Sequence, residues 1–314
     1  TEEAIRILDQ LAANPAYLSF SLYWKGKLEK NPELWKEILK EPYNYYALRI
    51  LQETGQNLDP LFSQIQQDPE TPPAPQPWEE RIRLLAEHRL FFFALEEARS
   101  RQFFSASNPR VLFHLARLYH FLGDDFLAIH YAEKLLSPSL WKDFSQNERL
   151  EILRIAYPSR YLPILQEEAQ KKNIDPNILL ALIKQESRFD PRATSPANAR
   201  GLMQILVSTG KAIASALNIP FSPSILYDPK TNIQMGVHYF AELLNKFNGN
   251  PVLALTAYNW GPERVSQWYS SLPEEVKNDE VALIELIPDS QPRLYVKKIL
   301  LHYWIYHFLS SLPQ

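Results

Sequence analysis

Few breaks interrupt the helical periodicity of this chain. Only eight glycines occur in 314 residues, and apolar residues recur at three- and four-residue intervals over long stretches, so the reading is all-α. Two helix starts are spelled out. Asp175-Pro176 and Asn250-Pro251 each put an N-capping side chain before a proline, whose fixed φ and missing N–H suit the first turn. Gly261-Pro262 then stops the second of these helices. The last apolar run, Ile299 to Leu309, holds His302, Tyr303, Tyr306 and His307. It is too short and too polar to span a bilayer and reads as a buried helix.

Length and composition narrow the classes further. At 46% hydrophobic and 22% charged, the chain can build a sizeable core and suggests about two domains. A net charge of −3 gives no reason to expect nucleic-acid binding. With no cysteine, disulfides and thiol catalysis are excluded. His114, His120, His302 and His307 lack the carboxylate or cysteine neighbours of a metal site and read as core or surface residues, so no metal or cofactor is expected. No signal peptide is visible. The chain begins at Thr1 and reads as a processed or trimmed form.

Residues 1–155 read as paired helices. An offset of 34 residues maps Leu84, Phe92, Ala94 and Ala98 onto Leu118, Phe126, Ala128 and Ala132. Small alanines there let neighbouring helices approach closely, as in a tetratricopeptide-like array. Gly123 ends one helix and Asp124-Asp125 starts the next. Two clear repeats are too few for a solenoid, so more diverged pairs are expected to complete it. The proline-rich stretch 68–77 is expected to be an exposed, extended connection. The charge cluster from Gln166 to Lys172 reads as a solvated helix face. Residues 156–314 form the second expected domain.

Within that domain one carboxylate is out of place. Leu179, Leu182 and Ile183 mark an apolar stripe, and Glu186 falls next on it, while Lys184 and Gln185 lie off it. A glutamate there either caps a neighbouring loop or is paired, or is held protonated for chemistry. Further on, Val252, Leu255 and Asn259 share one helix face, with Ala254, Ala257 and Tyr258 on the next. Tyr258 and Trp260 taken alone are ordinary half-buried aromatics, though flat apolar rings at a helix end also suit the faces of sugars.

Four ordered motifs change that balance. They are Glu186-Ser187, Gly201-Leu202-Met203-Gln204, Ala257-Tyr258-Asn259, and Ile287-Pro288 with Arg293-Leu294-Tyr295-Val296. From about Tyr157 to about Tyr306 the chain resembles the catalytic domain of soluble lytic transglycosylases, whose lysozyme-like α-helical fold acts on peptidoglycan. Pro42 to Arg49 resembles, more weakly, the helical superhelix that precedes that domain. The resemblance implies Glu186 as the sole acid/base, with Tyr258 turning its hydroxyl toward it. It implies that Ser195, Gly201, Met203, Gln204, Asn259, Arg293 and Tyr295 bind the glycan. Gly201, lacking Cβ, lets backbone approach the sugar. The chain departs from the family at Gln204-Ile205-Leu206-Val207, where Met and Pro commonly follow the isoleucine. It departs again at Gln291, which stands where a glutamate is frequent.

The resemblance implies cleavage between N-acetylmuramic acid and N-acetylglucosamine with a 1,6-anhydromuramyl product. It also implies action on peptidoglycan glycan strands in the periplasm or cell envelope, by a monomer. A hydrolytic muramidase using the same cleft would need a second carboxylate to activate water. A helical scaffold that binds peptidoglycan without cutting it would have no need of an acid on an apolar stripe.

Overall fold

The computed structural model describes residues 2–41, 43–55, 76–104, 108–141 and 143–312. About three quarters of them are helical, and the two strands found among them are two residues long each, so the all-α reading holds. The chain divides into two compact units, Thr1–Ala156 and Tyr157–Gln314.

In the first unit the principal helices are α1 (Glu2–Ala12), α2 (Leu18–Glu29), α3 (Tyr45–Glu53), α4 (Pro77–Glu87), α5 (Phe91–Phe104), α6 (Pro109–Leu122), α7 (Asp125–Glu133) and α8 (Gln146–Ala156). Successive helices pack on one another, α1 on α2, α4 on α5, α5 on α6 and α6 on α7. The four alanines of the 34-residue offset, Ala94, Ala98, Ala128 and Ala132, are completely buried. Their bulky companions part ways: Leu118 is buried, whereas Leu84, Phe92 and Phe126 are exposed. The repeat is therefore one of close helix approach, not of shared core side chains. Gly123 ends α6 with φ +78°, and the Asp124 side chain accepts the Leu127 N–H to start α7. Most of the proline-rich stretch, like Pro42, lies outside the described residues. Its last residue, Pro77, opens α4 behind a Gln76–Glu79 capping box.

One histidine differs from expectation. His114 does have a carboxylate neighbour, Glu79, at 3.2 Å. Burial would raise the Glu79 pKa, but hydrogen bonds from His114, the Gln76 N–H and Arg110 outweigh it and hold the group at about 2. The carboxylate is committed to a buried ion pair with Arg110 at 2.8 Å. No cluster of metal-ligating side chains occurs among the described residues.

The second unit holds α9 (Leu162–Lys172), α10 (Pro176–Ser187), a hairpin of β1 (Ala199–Arg200) and β2 (Ile205–Leu206), then α11 (Val207–Ala216), α12 (Pro229–Lys246), α13 (Pro251–Trp260), α14 (Pro262–Ser270), α15 (Glu280–Glu285) and α16 (Ser290–Ser311). The predicted caps are in place. Asp175 accepts the Asn177 N–H at 2.9 Å, Asn250 accepts the Leu253 N–H at 3.1 Å, and Gly261 ends α13 with φ +95°. The cluster at the end of α9 is solvated except at Glu168 and Ala169, which are buried, with Glu168 bonded to Lys171.

Helix α10 departs from the stripe drawn for it. Leu179, Leu180, Ala181, Leu182 and Ile183 are all buried, so the helix is apolar all round, as a central helix must be. Lys184 is buried as well, its Nζ 4.4 Å from the centre of the Tyr157 ring. An aromatic face stabilises a cation that has left water. The main partner of α10 is α16, where Ile299, Leu300, Ile305, Tyr306 and Phe308 are buried as expected of the last apolar run. Among the described residues no helix is long and apolar enough to cross a membrane.

Candidate active site

Glu186 sits in the last turn of α10, held there by an abrupt stop. Arg188 and Phe189 both adopt left-handed backbone, with φ +50° and +63°, and Phe189 plugs into the core at 2% exposure. The helix cannot run on, so its last turn faces the space between α10, α13 and α16. Glu186 itself is half-buried. Burial of its carboxyl group pushes the pKa up to about 7, against a hydrogen bond from Tyr295 that acts to lower it. No neighbouring charge figures among the causes of that shift for the described residues.

The hydroxyl that reaches Glu186 belongs to Tyr295, on α16, which donates to Oε1. Tyr295 is buried at 5% exposure. The sequence reading gives Tyr295 to the substrate; in the structure its hydroxyl is bonded to the acid. The Tyr258 hydroxyl instead donates to the Met203 carbonyl at 2.7 Å. Tyr258 still lies within the field of Glu186, and its own pKa is driven far up, first by burial and then by that carboxylate. Glu186, Tyr258 and Tyr295 thus form one group, with Tyr258 fastening the neighbouring loop.

That loop is the Gly201–Gln204 segment, and its shape depends on one residue absent from the sequence reading. Asn232 of α12 is fully buried. Its amide donates to the carbonyls of Arg200 and Leu226, at 3.0 and 2.7 Å, and its Oδ1 accepts the Met203 N–H at 2.8 Å. The signal was available: Asn232 interrupts a buried face made by Ile233, Met235, Gly236, Val237 and Phe240, much as Glu186 interrupts its own. Gly201 is required for a second reason besides any approach of sugar. Its φ is +76°, and an added Cβ would stand 2.1 Å from the Leu226 carbonyl oxygen.

The remaining predicted residues divide. The Met203 side chain is completely buried, packed so tightly on α12 that a Cβ on Gly236 would meet its sulfur at 2.3 Å. The sequence reading gives Met203 to the glycan; in the structure its side chain lies in the core. Gln204, half-buried with φ +48°, donates its amide to the Ala193 and Gly201 carbonyls. Ser195 closes the preceding turn, its Oγ accepting the Ala199 N–H at 3.0 Å. Arg293 donates to the Glu285 carbonyl at 3.1 Å, and the Glu285 carboxylate pairs with Lys297 at 2.8 Å. Asn259 is half-exposed beside Tyr258. Gln291 is exposed in the first turn of α16, where Asp289 is the N-cap.

One carboxyl group with a pKa near neutrality, bonded to a phenol, can give up and take back a proton within one reaction.

The chain is similar to several known proteins. Residues 163–280 match the family described as the transglycosylase SLT domain. The soluble lytic murein transglycosylase of Escherichia coli K12 is 34% identical over 160 residues, half of this chain and 24% of that protein. The Salmonella typhimurium protein of the same name is 35% identical over 158 residues, 49% of this chain and 24% of its own length. The chain thus spans about a quarter of the length of these curated relatives. Among solved structures, an inactive mutant of the lytic transglycosylase Slt from Pseudomonas aeruginosa superposes with a TM-score of 0.75 at 25% identity. That match covers all of this chain and half of the other. The 70-kDa soluble lytic transglycosylase of Escherichia coli gives 0.67 at 26% identity, over 93% of this chain and 46% of the other.

Proposed function

We propose that this chain, whose residues 163–280 are a transglycosylase SLT domain, is a peptidoglycan lytic transglycosylase with Glu186 as its only acid/base. The observation that carries the reading is the single, desolvated Glu186 carboxyl group, with a pKa of about 7 and, among the described residues, no charged partner. Protonated in the free enzyme, it delivers its proton to the oxygen bridging N-acetylmuramic acid and N-acetylglucosamine, and the bond from C1 to that oxygen breaks. The substrate's 2-acetamido carbonyl supports the positive charge growing at C1. The Glu186 carboxylate then takes the proton of the C6 hydroxyl on the same sugar, whose oxygen bonds C1. Water is not consumed, and the product ends in a 1,6-anhydromuramyl ring. A hydrolase working through two carboxyl groups would need them within about 5–9.5 Å of each other. Among the described residues no second carboxylate figures among the causes of the raised Glu186 pKa. In this reading the second unit is the catalytic domain, the first is a diverged helical array, and the protein works as a monomer on glycan strands of the cell envelope.

Mass spectrometry of purified peptidoglycan after digestion tests this directly. Anhydromuramyl ends support the lyase. Reducing muramyl ends would replace it with a hydrolase.

The pH profile follows from the same group. The acid form of Glu186 starts the reaction, so kcat/KM should be flat below pH 7 and fall about tenfold per unit above it. The bond from Tyr295 lowers the Glu186 pKa, so Tyr295→Phe should move that falling limb to higher pH by up to about one unit, with a reduced plateau. A limb that stays put would deny Tyr295 its positioning role. Tyr258→Phe removes an anchor of the 201–204 loop. We expect kcat to drop about tenfold, with KM changing less. Equal loss in both parameters would mean that Tyr258 serves glycan binding instead.

A further inference from the structure

Met203 is gripped at both ends of its backbone. Its N–H donates to Asn232 Oδ1 at 2.8 Å, and its carbonyl accepts the Tyr258 hydroxyl at 2.7 Å. Asn232 cannot turn over. It is fully buried, and its amide donates to the Arg200 and Leu226 carbonyls at 3.0 and 2.7 Å. A flipped amide would set N–H against the Met203 N–H and oxygen against two carbonyl oxygens, so one orientation alone satisfies all three partners. A phenol has a single proton to give. Tyr295 gives its proton to Glu186, and Tyr258 gives its own to Met203. Yet Tyr258 feels the Glu186 charge, and Tyr295 feels both Glu186 and Tyr258, so the two hydroxyls share the desolvated surroundings of one carboxyl group. The titratable groups acting on these three residues, among the described ones, are Tyr295 of α16, Tyr258 of α13, Glu186 of α10 and, beside Tyr258, Tyr239 of α12. No cation is among them. A carboxylate that accepts several hydrogen bonds is held ionised, whereas burial favours the proton. The direction of the Tyr258 hydroxyl therefore matters to an acid that must keep its proton.

We propose that Asn232 is a positioning residue for Glu186: by holding Met203 it keeps the Tyr258 hydroxyl proton on the Met203 carbonyl and off the acid. This rests on the reading of Glu186 as a proton donor. Asn232 acts at two removes, through Met203 and then Tyr258. Once the Met203 carbonyl is displaced, the freed hydroxyl turns toward Glu186, the only carboxylate among the groups that act on Tyr258. Glu186 would then be stabilised as the carboxylate by a second phenol in addition to Tyr295, and less of it would carry a proton at neutral pH.

The test is titration of the Glu186 carboxyl carbon, followed by NMR in protein labelled with carbon-13 glutamate and assigned by the signal lost in Glu186→Gln. Asn232→Leu is close to asparagine in size and removes all three bonds. Its Glu186 midpoint should fall by about one unit, and adding Tyr258→Phe should bring it back to within about 0.3 unit of the parent. An unmoved midpoint in a folded Asn232→Leu protein would leave Asn232 with a purely structural part. A fall that persists without the Tyr258 hydroxyl would mean that Asn232 acts by another route. Either result overturns the proposal. Should Asn232→Leu not fold, Tyr258→Phe alone decides. A midpoint within about 0.3 unit of the parent supports a hydroxyl committed to Met203, and a move of about one unit in either direction overturns it. The titration needs no glycan, so the two readings fail separately. The expected shifts, with no anhydromuramyl product from the unmodified protein, would overturn the lyase and leave Asn232 in its role. Anhydromuramyl products with unmoved midpoints would do the reverse.

Discussion

Replacing Glu186 by glutamine should reduce cleavage of peptidoglycan by about 10²–10⁴-fold while leaving glycan binding and fold intact. The amide keeps the shape of the carboxyl group and can still accept from the Tyr295 hydroxyl, but it has no proton to give the leaving oxygen. A second readout distinguishes loss of the acid from general damage. The folded-state pKa of about 7 lies above the ordinary carboxyl value of 4.5. The folded protein therefore binds more protons than the unfolded one between those values. The stabilisation tied to this proton is complete below pH 4.5 and lost as pH rises through 7, a change of order 3 kcal/mol at most. Glutamine carries no such dependence. Glu186→Gln should thus melt at a higher temperature than the parent at pH 8, with the difference shrinking toward pH 5. A difference in melting temperature that is constant across this range would contradict the desolvated state argued for Glu186.

Gly201→Ala should be the most damaging small substitution in the second unit. The new methyl would lie 2.1 Å from the Leu226 carbonyl oxygen and 2.4 Å from the Asn232 amide nitrogen, on a backbone with φ +76°. Left-handed strain adds roughly 1–2 kcal/mol, and forcing atoms apart in a packed site adds typically 1–3 kcal/mol. The neighbour that must move is Asn232, which holds Met203 N and, through it, the loop to which Tyr258 is bonded. We expect a melting temperature lower by roughly 5–15 °C, together with lost activity. A melting curve within about 2 °C of the parent would mean that the loop can re-form without this glycine, and that its shape is not set by Asn232.

How much of this was readable beforehand follows from the range of each interaction. The caps at Asp175 and Asn250 and the stop at Gly261 are local, decided within three or four residues, and they stand where the sequence puts them. Glu186 declared itself by interrupting an apolar pattern. The partner of Glu186 could not be read in that way, because Tyr295 is 109 positions distant and only the packing of α10 on α16 brings them together. The stripe on α10 is drawn too narrow for a related reason. Periodicity marks the face toward one neighbour, and a helix enclosed on all sides buries even Lys184, provided that an aromatic ring such as Tyr157 receives the charge. Asn232 interrupts a buried face, but that interruption does not name its partners. Its three hydrogen bonds go to backbone groups in two separate segments, which no local pattern encodes.

The paired left-handed residues after Glu186 have a consequence for motion. Helix ends ordinarily fray, and a carboxylate in a last turn would sample many positions. Arg188 and Phe189 hold a conformation that costs each of them roughly a kilocalorie per mole or more, and it persists because Phe189 is locked into the core. Any loosening of this helix end must extract that ring first, so the acid is denied the small excursions that a frayed turn would allow. Glu186 is then a stationary group, and in the proposed reaction closing the gap between bond and proton falls to the saccharide, which must bend its ring toward a proton donor that does not come to meet it.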